Sequence, residues 1–372
     1  MGAIENRIAR LRKKFQAENI DAFLVLIEEN RRYLSGFTGE DTQFDESAGA
    51  LLITADTLIL ATDSRFEIQA KQEAPDYDVV LYQTGLIKAL PNLLASLKTR
   101  RLGFENRRMS HEIYFRILRE LEKNNRSVEL VPFVEMVESL RLIKDENEIE
   151  AIRDAVYLAE DAFKAFIKTI ETGVVETDAA WALEKGMREG GAQSISFPVI
   201  AASGPNSALP HAIAGRRTFQ EKEPLLFDWG AKLNGYCSDM TRTVFFEYPD
   251  EEFKKIFNTV YDAQQKAIDA IRPGITTCEV DAVARNHIAE KGYNGYFGHG
   301  LGHGVGLAVH EAPSLSPVAE REKTLSENMV FTVEPGIYIP GRGGVRLENM
   351  VVVRSDGHEV FNQLAIRMDI GS

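Results

Sequence analysis

An α/β (α+β) protein of two domains is what this sequence predicts, on three observations. A chain of 372 residues is too long for one ordinary core. Its first third alternates helix-period and strand-like apolar patterns, as helices packed on a mixed sheet would. The remainder repeats a helix–loop–helix pattern, and each copy feeds apolar runs that carry acidic residues. The expected division is 1–134 and 135–372.

In the first domain Ile4, Ile8, Leu11 and Phe15 recur at helical spacing, and the apolar run Ile20 to Leu26 follows as a strand. Leu51 to Ile53 and Leu58 to Leu60 straddle Ala55-Asp56 like a hairpin. Helices are expected near Phe66 to Ala74, Leu86 to Leu97 and His111 to Lys123. Short strands at Asp78 to Leu81, Leu102 to Phe104 and Val128 to Val131 alternate with them. Tyr33 to Gly39 reads as an exposed turn. No constellation of catalytic type lies in this domain.

A charged, proline-free stretch, Arg141 to Lys144, reads as a linker. Asp145 can cap a long helix running to Glu171, with Ile149, Ile152, Val156, Ala159, Phe163, Phe166 and Ile170 along one face. Gly173 then opens a second helical segment that closes at Gly190-Gly191. The pattern returns from Asp250 to Ile271, with Gly274 opening a segment that closes at Gly292. Two related halves packed around one central site are therefore expected.

Composition narrows the function. Apolar and charged fractions of 44% and 27% are those of a globular protein, and a net charge of −13 speaks against nucleic acid or an anionic membrane as partner. No stretch approaches the roughly 20 apolar residues that span a bilayer. Two cysteines cannot make a disulfide framework, so a cytoplasmic location is expected.

The chemistry centres on Gly298 to Pro313, which places His299, His303 and His310 among five glycines in a chain of seven histidines. Such glycine density makes poor helix or strand and a good site wall. Acids arrive on apolar runs: Asp228 in Leu225 to Gly230, Asp239 in Tyr236 to Thr241, Glu334 at the end of Met329 to Val333, and Glu348 in Val345 to Val352, where Arg346 shares its face. Each acid alone could be satisfied by a turn or an arginine. Four ionised carboxylates inside β-like runs need cations, because burial without partners is too costly. If they face one another, two divalent ions match their charge and His303 completes the set as a neutral ligand. Oxygen-rich ligation without thiolate favours manganese or cobalt over iron or zinc, and Cys237 reads as packing.

These residues in this order resemble the pita-bread metallopeptidases, peptidase family M24, which includes methionine aminopeptidase, aminopeptidase P, prolidase and creatinase. The resemblance rests on Asp228-Trp229-Gly230, Tyr236 to Thr243, Gly298 to Pro313, Glu334-Pro335-Gly336 and Arg346-Leu347-Glu348-Asn349. It implies a pseudo-two-fold catalytic domain behind a creatinase-type N-terminal domain, the arrangement of the Xaa-Pro branch. It also implies Asp228, Asp239, His303, Glu334 and Glu348 as ligands, with Asp239 and Glu348 bridging two ions. Asn349 stands where the family often has Asp, and Trp229 where Phe or Tyr is usual.

The resemblance further implies cleavage of the bond before proline. Glu334 would shuttle the proton between water and leaving nitrogen. His211 and His310 would steady the carbonyl oxygen. Phe197 and Val309 match positions lining the proline pocket, and Arg346 would bind a substrate carboxylate or orient Glu348. His299 fits a supporting role. A creatinase-like hydrolase or a non-enzymatic binding module of this fold would have lost ligands, and all five are present. Ser314 stands where some prolidases place Arg, which tips the expectation to an Xaa-Pro aminopeptidase, with an Xaa-Pro dipeptidase as the alternative. A proline-containing peptide is the expected partner, and a homodimer is expected because related proteins commonly pair.

Overall fold

The computed structural model describes residues 2–41, 46–247, 249–367 and 369–370. The chain forms two compact units, Met1–Leu140 and Arg141–Ser372.

In the first unit six strands form a mixed sheet in the order Asp78–Leu81, Leu58–Thr62, Ala50–Thr54, Ala22–Val25, Arg101–Glu105, Glu129–Phe133. The hairpin and the alternating helices stand where the periodicity put them. The opening helix, Ala3–Glu18, buries Ile8, Leu11 and Phe15, three positions that share one face. Tyr33 to Gly39 needs correction. A helix, Glu28–Ser35, occupies its first residues, and Tyr33, Leu34, Ser35 and Phe37 are buried rather than exposed. The polar run Glu28 to Arg32 hid this helix. Its start is satisfied from elsewhere, since the buried Glu105 carboxylate accepts the Leu26 and Ile27 N–H groups at 2.6 Å and the Asn30 amide at 2.7 Å.

The second unit contains both expected helix pairs, Glu146–Phe166 with Glu176–Glu189 and Glu251–Ala270 with Thr277–Ile288. Asp145 caps the first through a capping box with Glu148, and its apolar stripe is buried at Ile149, Ile152, Val156, Ala159, Phe163 and Phe166. Each of the larger side chains, all but Ala159, contributes about 1.5–3 kcal/mol by leaving water. This helix ends at Phe166, short of the expected Glu171, as the chain turns toward Gly173.

The duplication is visible in the backbone. Gly173 and Gly274 both have φ of 92°, and their N–H groups donate to Phe219 O and Leu325 O, each at 2.9 Å. Isolated antiparallel bridges join Val175 to Thr218 and Thr276 to Thr324. Two helix pairs thus pin equivalent turns in the same way.

Two antiparallel sheets back the helix pairs, each pair over its own apolar core, with Val330, Met350 and Val352 of the second sheet contributing to the first core. The first sheet carries the strands Ile200–Ser203, Leu225–Trp229 and Met240–Val244. The second runs in the order Glu311–Leu315, Gly302–Gly304, Val330–Val333, Asn349–Arg354, Gly357–Val360. Trp229 fits its place because its ring stacks on Phe163 at 4.2 Å while its N–H donates to Ala159 O at 2.9 Å.

Two expected strands are broken, both at acids. Tyr236 to Thr241 divides into Tyr236–Cys237 and Met240–Val244, with Ser238 and Asp239 between. Val345 to Val352 divides into Gly343–Arg346 and Asn349–Arg354, in different sheets, so Arg346 and Glu348 do not share a strand face. The glycine-rich stretch does form strand at Gly302–Gly304. A Cβ on Gly302 would stand 1.9 Å from Thr332 O, and one on Gly304 2.2 Å from Ala312 O, so glycine is what lets these backbones approach.

Candidate metal centre

Where the two halves of the second unit meet, a cavity of about 450 Å³ is lined by Asp228, Asp239, His303, Glu334 and Glu348. Asp228 lies on Leu225–Trp229, opposite Thr241 on the neighbouring strand. Asp239 sits in the first strand break, and its N–H donates to Met350 Sδ at 3.3 Å. Glu348 sits in the second break. Its N–H donates to Thr241 O at 3.1 Å, and its Oε2 accepts from Thr241 Oγ1 at 2.7 Å, so one residue ties the two breaks together.

His303 is fixed by Thr332 Oγ1, which accepts its backbone N–H at 3.1 Å. Its Nδ1 lies 3.2 Å from Gly304 O, a contact that assigns the proton to Nδ1 and leaves the Nε2 lone pair to the cavity. Nε2 is 3.5 Å from both Asp239 Oδ2 and Glu334 Oε1. Ligand atoms of Asp239, His303 and Glu348 lie within 4.8 Å of one another.

The electrostatics call for cations. Burial, then Glu348, Asp228 and Glu334, push the Asp239 carboxyl well above its ordinary range; burial, Glu334 and Asp228 do the same to Glu348. Burial pushes Glu334 up to about 8. His303 moves the other way, down to about 4, through burial and the nearby His310. Among the described residues, the buried Asp228 Oδ1 and Glu348 Oε1 have no hydrogen-bond partner. A cluster of acceptors with two orphaned carboxylate oxygens and a free imidazole lone pair fits divalent metal ions and fits little else.

The remaining expected residues are also placed. His211, His299, His310, Phe197 and Arg346 line the cavity. Val309 is not among its lining residues; half-buried, it packs against the first core. Cys237 is buried in that same core. Arg346 makes an ion pair with Asp228 Oδ2 at 2.6 Å rather than with Glu348, and reaches Thr241 Oγ1 through Nε at 3.0 Å. Its Nη1 donates to Pro210 O and to Tyr338 OH. Asn349 Oδ1 accepts from the buried Arg242 at 3.0 Å.

Sequence reasoning missed Tyr338 and Thr332. Tyr338 OH lies 2.8 Å from His299 Nε2, and His299 Nδ1 lies 2.7 Å from Gly300 O, which orders a chain from Arg346 through Tyr338 to His299. Nothing in the sequence marks Tyr338. Thr332 was findable, since strand parity places it on the face of Glu334, whose Oε1 accepts from Thr332 Oγ1 at 3.3 Å.

A cavity floored by carboxylates and one imidazole, at the seam of duplicated halves, defines a metal-dependent hydrolase site. The model of metallopeptidase family M24 matches residues 150–355, and that of the Creatinase/Prolidase N-terminal domain matches residues 7–143. The chain is 34% identical to an Xaa-Pro dipeptidase of Pyrococcus horikoshii, over 96% of this chain and 97% of that one. Among solved structures it is similar to an Xaa-Pro dipeptidase from Bacillus anthracis, with TM-score 0.91 and 38% identity over 98% of this chain and 99% of that one. An X-Pro aminopeptidase from Thermotoga maritima gives TM-score 0.86 and 38% identity, with the same coverage. The chain belongs to metallopeptidase family M24, with the pita-bread catalytic fold behind a creatinase-type N-terminal domain, as the motifs implied. Among the described residues no helix is long and apolar enough to cross a membrane.

Proposed function

We propose that this protein is an Xaa-Pro dipeptidase that holds two divalent metal ions on Asp228, Asp239, His303, Glu334 and Glu348. The observation that carries the reading is the convergence of these five side chains on one cavity, in a chain similar over its whole length to enzymes named Xaa-Pro dipeptidases. This reverses the expected order of the two activities. Ser314 lines the cavity where some relatives would place a cation, and the Thermotoga maritima neighbour is named an aminopeptidase; both observations favour the second reading, an Xaa-Pro aminopeptidase.

Arg346 offsets one of the four carboxylate charges, and three remain, more than a single divalent ion balances. This supports two ions, with manganese or cobalt suited to oxygen ligands and one imidazole. Bound there, such ions supply a polarised carbonyl and water of lowered pKa.

The protein does the rest. Phe197, Pro198, Ile200, Pro210, Ala212 and Ile213 give the cavity an apolar wall suited to a proline ring and an apolar neighbour. Glu334 takes the proton of the attacking water and returns it to the proline nitrogen as the bond breaks. His211 and His310 donate to the carbonyl oxygen as it gains charge, and partial desolvation, with His211 nearby, lowers the His310 pKa from its ordinary value. Arg346 holds Asp228 and Tyr338, so its part is support of the acids.

Leu-Pro and Leu-Pro-Yaa peptides offered side by side, with manganese and then cobalt, test the reading. Cleavage of the dipeptide alone is expected; equal or faster cleavage of the tripeptide establishes the aminopeptidase. A homodimer is part of the proposal, and a monomeric mass by light scattering would refute it.

A further inference from the structure

The two charged ends of the stretch that reads as a linker are buried. Arg141 and Lys144 side chains are 5% and 1% exposed, and both turn onto Glu311, the residue after His310. Arg141 Nη2 donates to Glu311 Oε1, and Lys144 Nζ lies 3.5 Å from Oε2. Burial alone would raise the Glu311 carboxyl, but the guanidinium and ammonium hold it below its ordinary range.

Glu311 spends this anchored charge on the backbone beside the cavity. Its Oε1 accepts the Ala308 N–H at 2.9 Å. Ala308 O in turn accepts the Gly306 N–H at 3.0 Å, and Gly306 O accepts from Cys237 N at 2.8 Å. A Cβ on Gly306 would stand 2.7 Å from Glu311 Oε1, so glycine there leaves the carboxylate its place. The short loop between the His303 strand and Glu311 is thereby tied at several points. His310 projects from it with its ring centroid 4.2 Å from that of His303. Among the described residues the His310 ring has no hydrogen-bond partner, so its direction follows from the course of the backbone that Glu311 holds.

We propose that Glu311, gripped by Arg141 and Lys144, is the positioning residue that fixes His310 against the cavity. This rests on the role given to His310 above. It assigns a purpose to a buried ion cluster that neither metal ligation nor proline recognition uses.

Steady-state hydrolysis of Leu-Pro by Glu311→Asp is the test, because the shorter chain keeps the charge between its cations but withdraws from the Ala308 N–H. Expected is a fall in kcat of about 10- to 100-fold, the scale of an ångström's misplacement. KM and bound metal should stay within about twofold of wild type. Glu311→Gln combined with Lys144→Met keeps an acceptor for Ala308 and for Arg141 without stranding an ammonium, and should lose less of kcat than Glu311→Asp. Unchanged kcat in a folded Glu311→Asp, or a loss that tracks metal content or unfolding, overturns the proposal. His310→Ala, measured in parallel, separates the premises: if it hydrolyses at the wild-type rate, the role of His310 fails; if it is slow and Glu311→Asp is not, the positioning role alone fails. Should wild type not cleave Leu-Pro, the functional reading fails instead. A crystal structure of Glu311→Asp then decides, with a displaced His310 ring expected and an unmoved ring contradicting it.

Discussion

The hydroxyl of Tyr338 shows how support reaches the acids. It accepts from Arg346 Nη1 at 3.0 Å and donates to His299 Nε2 at 2.8 Å, while burial, with Arg346 nearby, lowers His299 to about 4 and keeps it a neutral acceptor. Tyr338→Phe would leave His299 Nε2 buried and unpaired, which costs about 1–3 kcal/mol, while Arg346 Nη1 keeps Pro210 O as an acceptor. A lower melting temperature and a kcat reduced about tenfold are expected, with KM little changed, since no substrate contact is lost. Arg346→Lys should cost more, because one ammonium cannot serve Asp228, Thr241, Tyr338 and Pro210 together. Steady-state kinetics with metal analysis checks this; an active, fully metal-loaded Arg346→Lys enzyme would contradict the assigned role. The sequence placed Arg346 at the site but not its partner, because pairing by strand parity assumes one unbroken strand.

That assumption fails at the level of whole elements, and where it fails is informative. Amphipathic helices of the second unit were legible, since each buries one stripe whose spacing is written in the chain. The strands bearing Asp239 and Glu348 were read as continuous, yet each breaks at the acid. An unbroken strand would fix each acid by alternation, whereas a break frees it to face the other, and the link from Glu348 N–H to Thr241 O holds the two breaks in register. Val309 was misplaced for a similar reason, since a loop residue has no periodicity to say which way it turns. Glycine density at Gly298 to Gly306 was read as a wall without strand, when part of it is a strand built for close approach. Gly302→Ala is therefore expected to destabilise by about 1–3 kcal/mol or more, because its Cβ would meet Thr332 backbone. Thermal denaturation with bound-metal analysis should show both falling; a variant as stable and as well loaded as wild type would contradict the packing described.

At the scale of the molecule the site is a stored electrostatic stress that ions relieve. In the metal-free protein Glu334 is raised to about 8, and Asp239 and Glu348 well above their ordinary values, by burial and mutual repulsion. Raised carboxyls mean the folded state binds more protons than the unfolded one, so stability is lost as pH rises toward the folded pKa. Glu105, raised to about 8 by burial, acts in the same direction. His299 and His303, lowered to about 4 by burial, act oppositely, but only below about 6.5, where the unfolded imidazoles titrate. Between pH 6.5 and about 8 the acids therefore dominate, and the melting temperature of metal-free protein should fall by a few degrees or more across that window. Added divalent ion should restore it most at the upper end. Calorimetry at the two pH values, with and without metal, checks the sign; a melting temperature that rises with pH in the metal-free protein would contradict it.

The most direct test strips the protein by exhaustive chelation and follows Leu-Pro hydrolysis as manganese is returned in known equivalents. If four acids and one imidazole share their charge with two ions, hydrolysis disappears on stripping and returns in full only as the second equivalent binds. Hydrolysis at an undiminished rate by the stripped protein would contradict the account.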